Sequence, residues 1–389
     1  MSSAVPYWRL SNFYFWYFSL LGASAPFWPL FLEKLGLSPA RIGELIAIPM
    51  LMRVLAPNLW AALADSRGTR LGILRLGSVC TLVFFAGVFI DQSFWVLALV
   101  MALHSFFWHA ILPQAEVITL HHLGTRTDHY SKVRLWGSVG FIAVVVGFGW
   151  LFERLPVLYL PHLMALIMLM IILAGFFLPA LQVGEVSTPL ARGTLRGLLK
   201  QPTMLAFFAG CLLMLASHGP YYTFFSVYLQ GLGYSRVAIG LLWALGVLAE
   251  IIVFLLMARV IPKLGLRWVL VGSLMLATLR WVMIALWADN LWLLLLAQCL
   301  HAATFGAFHA AAVAFIQQHF PPQRQSTGQA LYSTLGGAGG ALGALLSGYA
   351  WGSLGASQTY MGAAALALLG AWLAWRWLHP QSITCKESP

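Results

Sequence analysis

The sequence predicts an all-α integral membrane protein, with twelve transmembrane helices in two pseudo-symmetric six-helix bundles around a central cavity. Three observations carry this expectation. First, 61% of the 389 residues are hydrophobic and only 8% are charged, with a mean hydropathy of +0.84. A soluble domain carries about 25% charged residues because its surface must be wetted, so a soluble fold is excluded. Second, the apolar runs are continuous over about twenty residues, the length of a bilayer-spanning helix. Strands of a membrane barrel would alternate apolar and polar residues over about ten. Third, the chain repeats itself. Leu35-Gly36-Leu37-Ser38-Pro39-Ala40-Arg41-Ile42-Gly43 returns as Leu232-Gly233-Tyr234-Ser235-Arg236-Val237-Ala238-Ile239-Gly240, an offset of 197 residues. At the same offset Leu103-His104 meets Leu300-His301, and His122 meets His319. Several matches at one offset near half the chain mark a duplication. Duplicated halves of a membrane protein face each other across a shared cavity.

The spans follow in order from the apolar runs: 10–32, 40–62, 72–90, 93–116, 131–152 and 158–179 in the first half. In the second half they are 203–229, 236–258, 268–287, 291–316, 327–351 and 357–378. Residues 1–179 form one bundle, 180–202 a polar cytoplasmic linker, 203–378 the second bundle and 379–389 a cytoplasmic tail. The first apolar run is too long for a signal peptide and has no small-residue cleavage site. With the N-terminus inside, Arg67, Arg70, Arg126, Lys132, Arg192, Arg196, Lys200, Arg259, Lys263, Arg267 and Arg324 all lie inside. Only Lys34, Arg41, Arg154 and Arg236 lie outside, so the positive-inside rule puts both termini in the cytoplasm. The net charge of +11 is therefore a topology signal. The basic residues are spread over many loops and do not form a nucleic-acid footprint. Cys80, Cys211, Cys299 and Cys385 show neither metal nor disulfide spacing and read as packing residues.

Five charges fall within or at the ends of spans: Arg53, Glu116, Arg134, Glu250 and Arg280. A charge at mid-bilayer costs at least about 2.5–3.5 kcal/mol, so it pairs, lines water or carries protons. Structural ion pairs that lock helices together are the alternative, most of all for Arg53. Glu116 and Arg134 lie near a membrane face, where long side chains can snorkel. Glu250, in the middle of its span, suits uptake and release of a proton. His104 and His301 occupy equivalent places and would face each other across one cavity, where an imidazole can exchange protons near neutral pH. A lone intramembrane histidine is otherwise a hydrogen-bonded packing residue. A metal site is disfavoured, because His104 and His109 are five apart and no acidic or cysteine cluster accompanies them.

Aromatic residues gather on spans 1 and 7 (Phe27, Trp28, Tyr221, Tyr222, Phe224, Phe225), with Trp108, Trp136, Trp243 and Trp281 near the charges. Singly they read as lipid-facing bulk; together they suit a cavity for a flat apolar solute. Pro26 and Pro29 are expected to break span 1, and Gly219-Pro220 to interrupt span 7; Pro49 sits in span 2. Breaks in corresponding helices point to a substrate path. Gly336-Gly337-Ala338-Gly339-Gly340 in span 11 allows very close helix contact.

The loop Leu63-Ala64-Asp65-Ser66-Arg67-Gly68-Thr69-Arg70 resembles the signature loop of the major facilitator superfamily, with Ser66 where a basic residue usually follows the Asp. Tyr130-Ser131-Lys132-Val133-Arg134-Leu135-Trp136-Gly137-Ser138-Val139-Gly140 resembles the span-5 entrance of the phenylpropionate permease group and of its relative, lactose permease. So do Gly246-Val247-Leu248-Ala249-Glu250, Arg280-Trp281 and His301-Ala302-Ala303-Thr304-Phe305. The resemblance covers nearly the whole chain. It implies that Glu116 and Arg134 bind substrate together, that Glu250 links binding to protonation, and that Arg280 and His301 belong to the same network. It also implies that Asp65, Arg67, Gly68 and Arg70 act in the conformational loop. Thr304 stands where the family has its proton-carrying carboxylate, so Glu250 or His301 would carry the proton here.

The expected protein is thus a monomeric, cofactor-free symporter of a bacterial inner membrane, driven by the proton gradient. It would take up a small organic solute, first of all an aromatic carboxylate such as 3-phenylpropionate. Arg53, Arg134 or Arg280 would hold the carboxylate, and Trp28, Trp136, Tyr221 and Trp243 would wall the ring, with Glu116 in the same site. Glu250, His301 and His104 would couple protons. Competing readings are a sugar or nucleoside symporter, a drug or metabolite exporter, an intramembrane metallohydrolase and a transporter-like sensor.

Overall fold

The computed structural model describes residues 5–67, 69–124, 126, 129–180 and 196–378, and all regular structure among them is helical. The first half contains α1 (Tyr7–Lys34), α2 (Pro39–Arg67), α3 (Arg70–Phe85), α4 (Phe94–Leu123), α5 (Tyr130–Phe152) and α6 (Leu160–Phe176). A short 3₁₀ turn, Ala86–Phe89, extends α3, and another, Val157–Tyr159, precedes α6. One turn of helix, α7 (Arg196–Leu199), leads into the second half. There α8 (Pro202–Ser217) and α9 (Gly219–Gly231) form one rod, followed by α10 (Arg236–Leu264) and α11 (Leu266–Trp287). The next rod is α12 (Leu291–His301), a π-helical turn Ala302–Ala307 and α13 (Phe308–His319). The chain ends in α14 (Gln325–Leu354) and α15 (Ala356–Trp377).

These are the twelve expected rods. Ten are long and apolar enough to cross a bilayer. The other two, α14 and α15, have 30 and 22 residues and owe their lower hydropathy to Gly, Ala and hydroxyl side chains. They are spans by position: α14 lies along α2, α8 and α9, and α15 along α8 and α11. The linker 181–195, the tail 379–389 and Gly68 fall outside the described residues, as do the side chains of Asp65 and Arg67.

The repeated nonapeptide is a helix-to-helix corner built twice. Gly36 and Gly233 have φ of +79° and +88°, a conformation that side chains disfavour and glycine accepts. Each closes a six-residue Schellman turn: Leu37 N–H donates to Leu32 O at 3.4 Å, and Tyr234 N–H to Leu229 O at 3.0 Å. Ser38 and Ser235 then stand at the start of α2 and α10, each with its Oγ toward the N–H three residues on. Ile42 and Ile239 are buried.

Gly43 and Gly240, which close the repeat, hold the two halves together. A Cβ at Gly43 would lie 2.6 Å from Ala344 O and 2.8 Å from Gly348 Cα of α14; one at Gly240 would lie 2.5 Å from Val145 O of α5. The halves therefore meet at two equivalent seams, α2 on α14 and α10 on α5. Twelve rods put the start of α1 and the end of α15 at one face, the terminal face, and both repeated corners at the other, the corner face. At the corner face the Glu153 carboxylate accepts from the Arg236 and Val237 backbone N–H groups at 2.5 and 3.2 Å. The Arg236 guanidinium also donates to Phe152 O. At the other seam the Tyr349 hydroxyl donates to Glu44 at 2.6 Å, and Glu44 pairs with Arg41. Deeper in, a Cβ at Gly337 would meet Met50 O at 2.8 Å.

Two expectations about helix breaks resolve differently. Span 7 is interrupted between Ser217 and Gly219, as expected. Span 1 is not: α1 runs unbroken through Pro26 and Pro29. Proline is tolerated inside a membrane helix when neighbours and local adjustment accommodate the freed backbone carbonyls. The glycines of α14 do permit close contact. A Cβ at Gly339 would lie 2.4 Å from Leu212 O, one at Gly343 2.3 Å from Ala216 O, and one at Gly219 2.2 Å from Gly343 C.

Candidate functional site

The second half holds a buried polar chain centred on Arg280 of α11. Arg280 is fully buried. Its Nε donates to Ala297 O at 2.9 Å, and its Nη1 reaches His301 Nδ1 at 3.0 Å and Thr304 Oγ1 at 3.3 Å. The guanidinium lies 4.2 Å from the Tyr221 ring and 4.5 Å from the Trp281 ring. Each such stack contributes on the order of 2 kcal/mol when desolvated, which offsets part of the cost of a charge without a carboxylate partner. The other ring nitrogen, His301 Nε2, lies 3.9 Å from Glu250 Oε2 on α10. His218, at the break between α8 and α9, donates from Nδ1 to Met214 O at 2.8 Å and faces Thr304 Oγ1 with Nε2 at 3.4 Å.

His301, at the end of α12, and Thr304, three residues on within the π-helical turn Ala302–Ala307, both address Arg280. Two glycines make room: a Cβ at Gly246 would meet the His301 ring at 3.3 Å, and one at Gly306 would meet Glu250 Cγ at 3.0 Å. Farther along, His309 Nδ1 and the Tyr332 hydroxyl are 3.0 Å apart.

The first half supplies cations. Arg134 of α5 lies 3.8 Å above the Phe18 ring and 5.8 Å from the Tyr14 ring, over the space Gly137 leaves open. Arg53 of α2 is exposed. Neither makes an ion pair within 4.0 Å among the described residues. Glu116, half-buried on α4, accepts from the Tyr130 hydroxyl at 3.4 Å. The field of Arg134 reaches Glu250 across the boundary between the halves, and that of Arg53 reaches Tyr222 and His309. Arg53 and Arg134 of the first half thus lie within electrostatic reach of Glu250, Tyr222 and His309 of the second, and Arg134 also of Glu116.

Of the residues expected at the site, the structure gathers Arg280, His301 and Glu250 in direct sequence, with Arg134 and Arg53 opposite. Glu116 stays near Arg134, and the aromatic residues and His104 stand elsewhere. His104 does not face His301: its Nδ1–H donates to Thr81 O on α3 at 3.2 Å, and its ring lies near Phe85 and parallel to Trp108. Trp28 is buried between Phe31 and Phe85. Trp136 donates to the Tyr7 hydroxyl at 2.9 Å and packs on Trp8. It is two residues from Arg134, and side chains so spaced do not share a helix face. Tyr221 and Trp243 stack at 4.6 Å in the core of the second half; Tyr221 donates to Gln298 and Trp243 to Ser226. They stand behind Arg280 as support. Arg70 donates to Gln114 at 3.1 Å, tying the start of α3 to α4. The roles of Gln298, Ser226 and Tyr332 carried no signal in the sequence, because hydroxyls and amides in apolar helices are indistinguishable until their neighbours are known.

Two duplicated six-helix halves joined at paired seams, with charges buried between their helices, have the architecture of a transporter. The chain belongs to the major facilitator fold: the model of the MFS_1 like family matches residues 7–362. It is a secondary active transporter and not an enzyme. It is 30% identical over 304 residues to the probable 3-phenylpropionic acid transporter of Escherichia coli (strain K12), covering 78% of this chain and 80% of that one. It is 28% identical over 335 residues to the maltose permease of Geobacillus stearothermophilus, covering 85% and 83%. Among solved structures it is similar to the nucleoside transporter NupG, with a TM-score of 0.85, 18% identity and coverage of 96% of this chain and 98% of that one.

Proposed function

We propose that this transporter takes up an aromatic carboxylate such as 3-phenylpropionate together with a proton, by alternating access. One observation carries the reading: Arg134 has no carboxylate within 4.0 Å among the described residues and an aromatic ring 3.8 Å beneath it. A guanidinium presents a planar fork matched to a carboxylate. Phe18, half-buried beside it, offers apolar surface to an aryl ring. Glu250, opposite, takes up a proton at a carboxylate oxygen from the outer side and releases it inside. Neutralising it lowers the cost of moving the loaded site through its occluded state. The relative from Escherichia coli, named for 3-phenylpropionic acid, supports the substrate class. In this reading the protein acts as a monomer in a bacterial inner membrane, with both termini in the cytoplasm and the corner face outside. Residues 1–179 and 203–378 rock against each other about the seams.

The test is uptake of labelled 3-phenylpropionate into proteoliposomes with and without an imposed inward proton gradient. Gradient-driven accumulation is expected; its absence, with a reconstitution control that works, sinks the reading. The maltose permease and the nucleoside transporter among the similar proteins favour a second reading, a sugar or nucleoside symporter using the same charges. Competition by maltose or a nucleoside, with none by the aryl acid, is the outcome that would select it.

A further inference from the structure

We propose that Arg280 is a positioning residue that locks His301 in one neutral tautomer, so that His301 turns a fixed N–H toward Glu250 and does not carry the transported proton. A guanidinium can only donate. Its Nη1 lies 3.0 Å from His301 Nδ1, so Nδ1 must keep its lone pair and the ring hydrogen must sit on Nε2. That is the nitrogen nearest Glu250 Oε2, at 3.9 Å. Protonating His301 would put an N–H against an N–H and a second cation beside Arg280 in a fully buried place.

The surroundings agree from every side. Thr304 on the π-helical turn accepts from Arg280 through Oγ1. Its own hydrogen goes to His301 O at 3.3 Å, with His218 Nε2 at 3.4 Å beside it. His218 Nδ1–H is committed to Met214 O, so the neutral rings of His218 and His301 are opposite tautomers. Tyr221 and Tyr222 on α9 add hydroxyls, and Glu250 on α10 is the acid that faces His301 among the described residues. From the first half, the charge of Arg134 reaches Glu250. Proton exchange at the site thus falls on one group. The carboxylate of Glu250 gains a proton to become the neutral acid and later returns it, while His301 Nε2–H stays bonded throughout. Glu250's part rests on the proposed proton coupling; the tautomer does not.

The experiment is nitrogen NMR of ¹⁵N-histidine-labelled protein in lipid bilayers, titrated between about pH 5 and 8, where an ordinary imidazole changes charge. The His301 signals are assigned by their loss in His301→Gln. A bare Nδ1 and a protonated Nε2 are expected at every pH. An Nδ1–H tautomer, or an imidazolium appearing in that range, overturns the proposal. In Arg280→Met the lock is gone, and a tautomer mixture that protonates at the acid end is expected; an unchanged His301 overturns the part given to Arg280. Should that variant fail to fold, the native titration still decides. In transport, His301→Leu should lose accumulation. His301→Gln, whose amide can accept from Arg280 and donate to Glu250 without titrating, should restore it relative to Leu. No restoration, with exchange intact in both, would mean that His301 carries the proton. Failure of the native protein to accumulate any solute would defeat the coupling reading and leave the NMR result to stand alone.

Discussion

Replacing Gly240 by alanine should push the corner face open. The added Cβ would lie 2.5 Å from Val145 O. Ordinary contact begins near 3.5 Å, so α10 and α5 must part by roughly 1 Å there. Val145 O belongs to helix backbone and cannot swing aside as a side chain would. Overpacking of this kind costs about 1–3 kcal/mol. The clash exists only while the seam is shut, so this energy shifts the equilibrium toward the conformation open at the corner face, by roughly 5- to 150-fold. Spin labels at Leu155 and Leu232, both exposed beside the seam, would report the distance distribution in nanodiscs. A longer distance should gain population in Gly240→Ala. Gly147→Ala, also on α5 but with open space around it, should change nothing. An unchanged distribution in folded Gly240→Ala would mean that the seam is not a gate.

Glu250→Gln should abolish accumulation against a gradient while sparing exchange; a variant that still concentrates solute in proteoliposomes would remove Glu250 from the proton path. Arg134→Lys should weaken binding of an aryl carboxylate by about tenfold or more in calorimetry, because an ammonium offers neither the bidentate fork nor the planar stack on Phe18. Equal affinity would place the carboxylate elsewhere. Glu153→Gln loses the charged cap on the first turn of α10 and should favour the open corner face by about 1 kcal/mol, read by the same spin labels. Gly219→Ala strikes a backbone contact inside the second half, where a Cβ would come within 2.2 Å of Gly343 C. It should lower the thermal midpoint of the detergent-solubilised protein rather than shift the label distances.

The twelve rods were legible because run length and polarity of the joints suffice to find membrane helices. Even α14 and α15, diluted by glycine and alanine, stand where the sequence puts spans 11 and 12. The duplication was legible too, and four of the five repeated residues of the nonapeptide, the two glycines, the serine and the isoleucine, have a structural reason. What the sequence withheld was azimuth: which face of a helix each side chain takes, and what stands opposite. Trp136 and Arg134 are neighbours in sequence but serve different surfaces. His104 and His301 are equivalent in register, yet one meets a carbonyl of α3 and the other a guanidinium of α11. The π-helical turn was also invisible, since Ala302–Ala307 has no composition that separates it from ordinary helix. Pro26 and Pro29 misled for a related reason. Proline withdraws a hydrogen bond from its own helix, but whether the helix breaks depends on neighbours.

The paired corners have a further consequence. Each half brings its own turn, cap and seam glycine, so closure at the corner face is encoded twice and independently of the chemistry of the charges. The charges are divided: Arg53 and Arg134 come with the first half, Glu250 and Arg280 with the second. A chain made of two first halves would keep both hinges and still fold shut at that face. It would carry Arg53, Arg134 and Glu116 twice and lack the Arg280–His301–Glu250 chain altogether, so closure at that face would survive without the polar network of the second half.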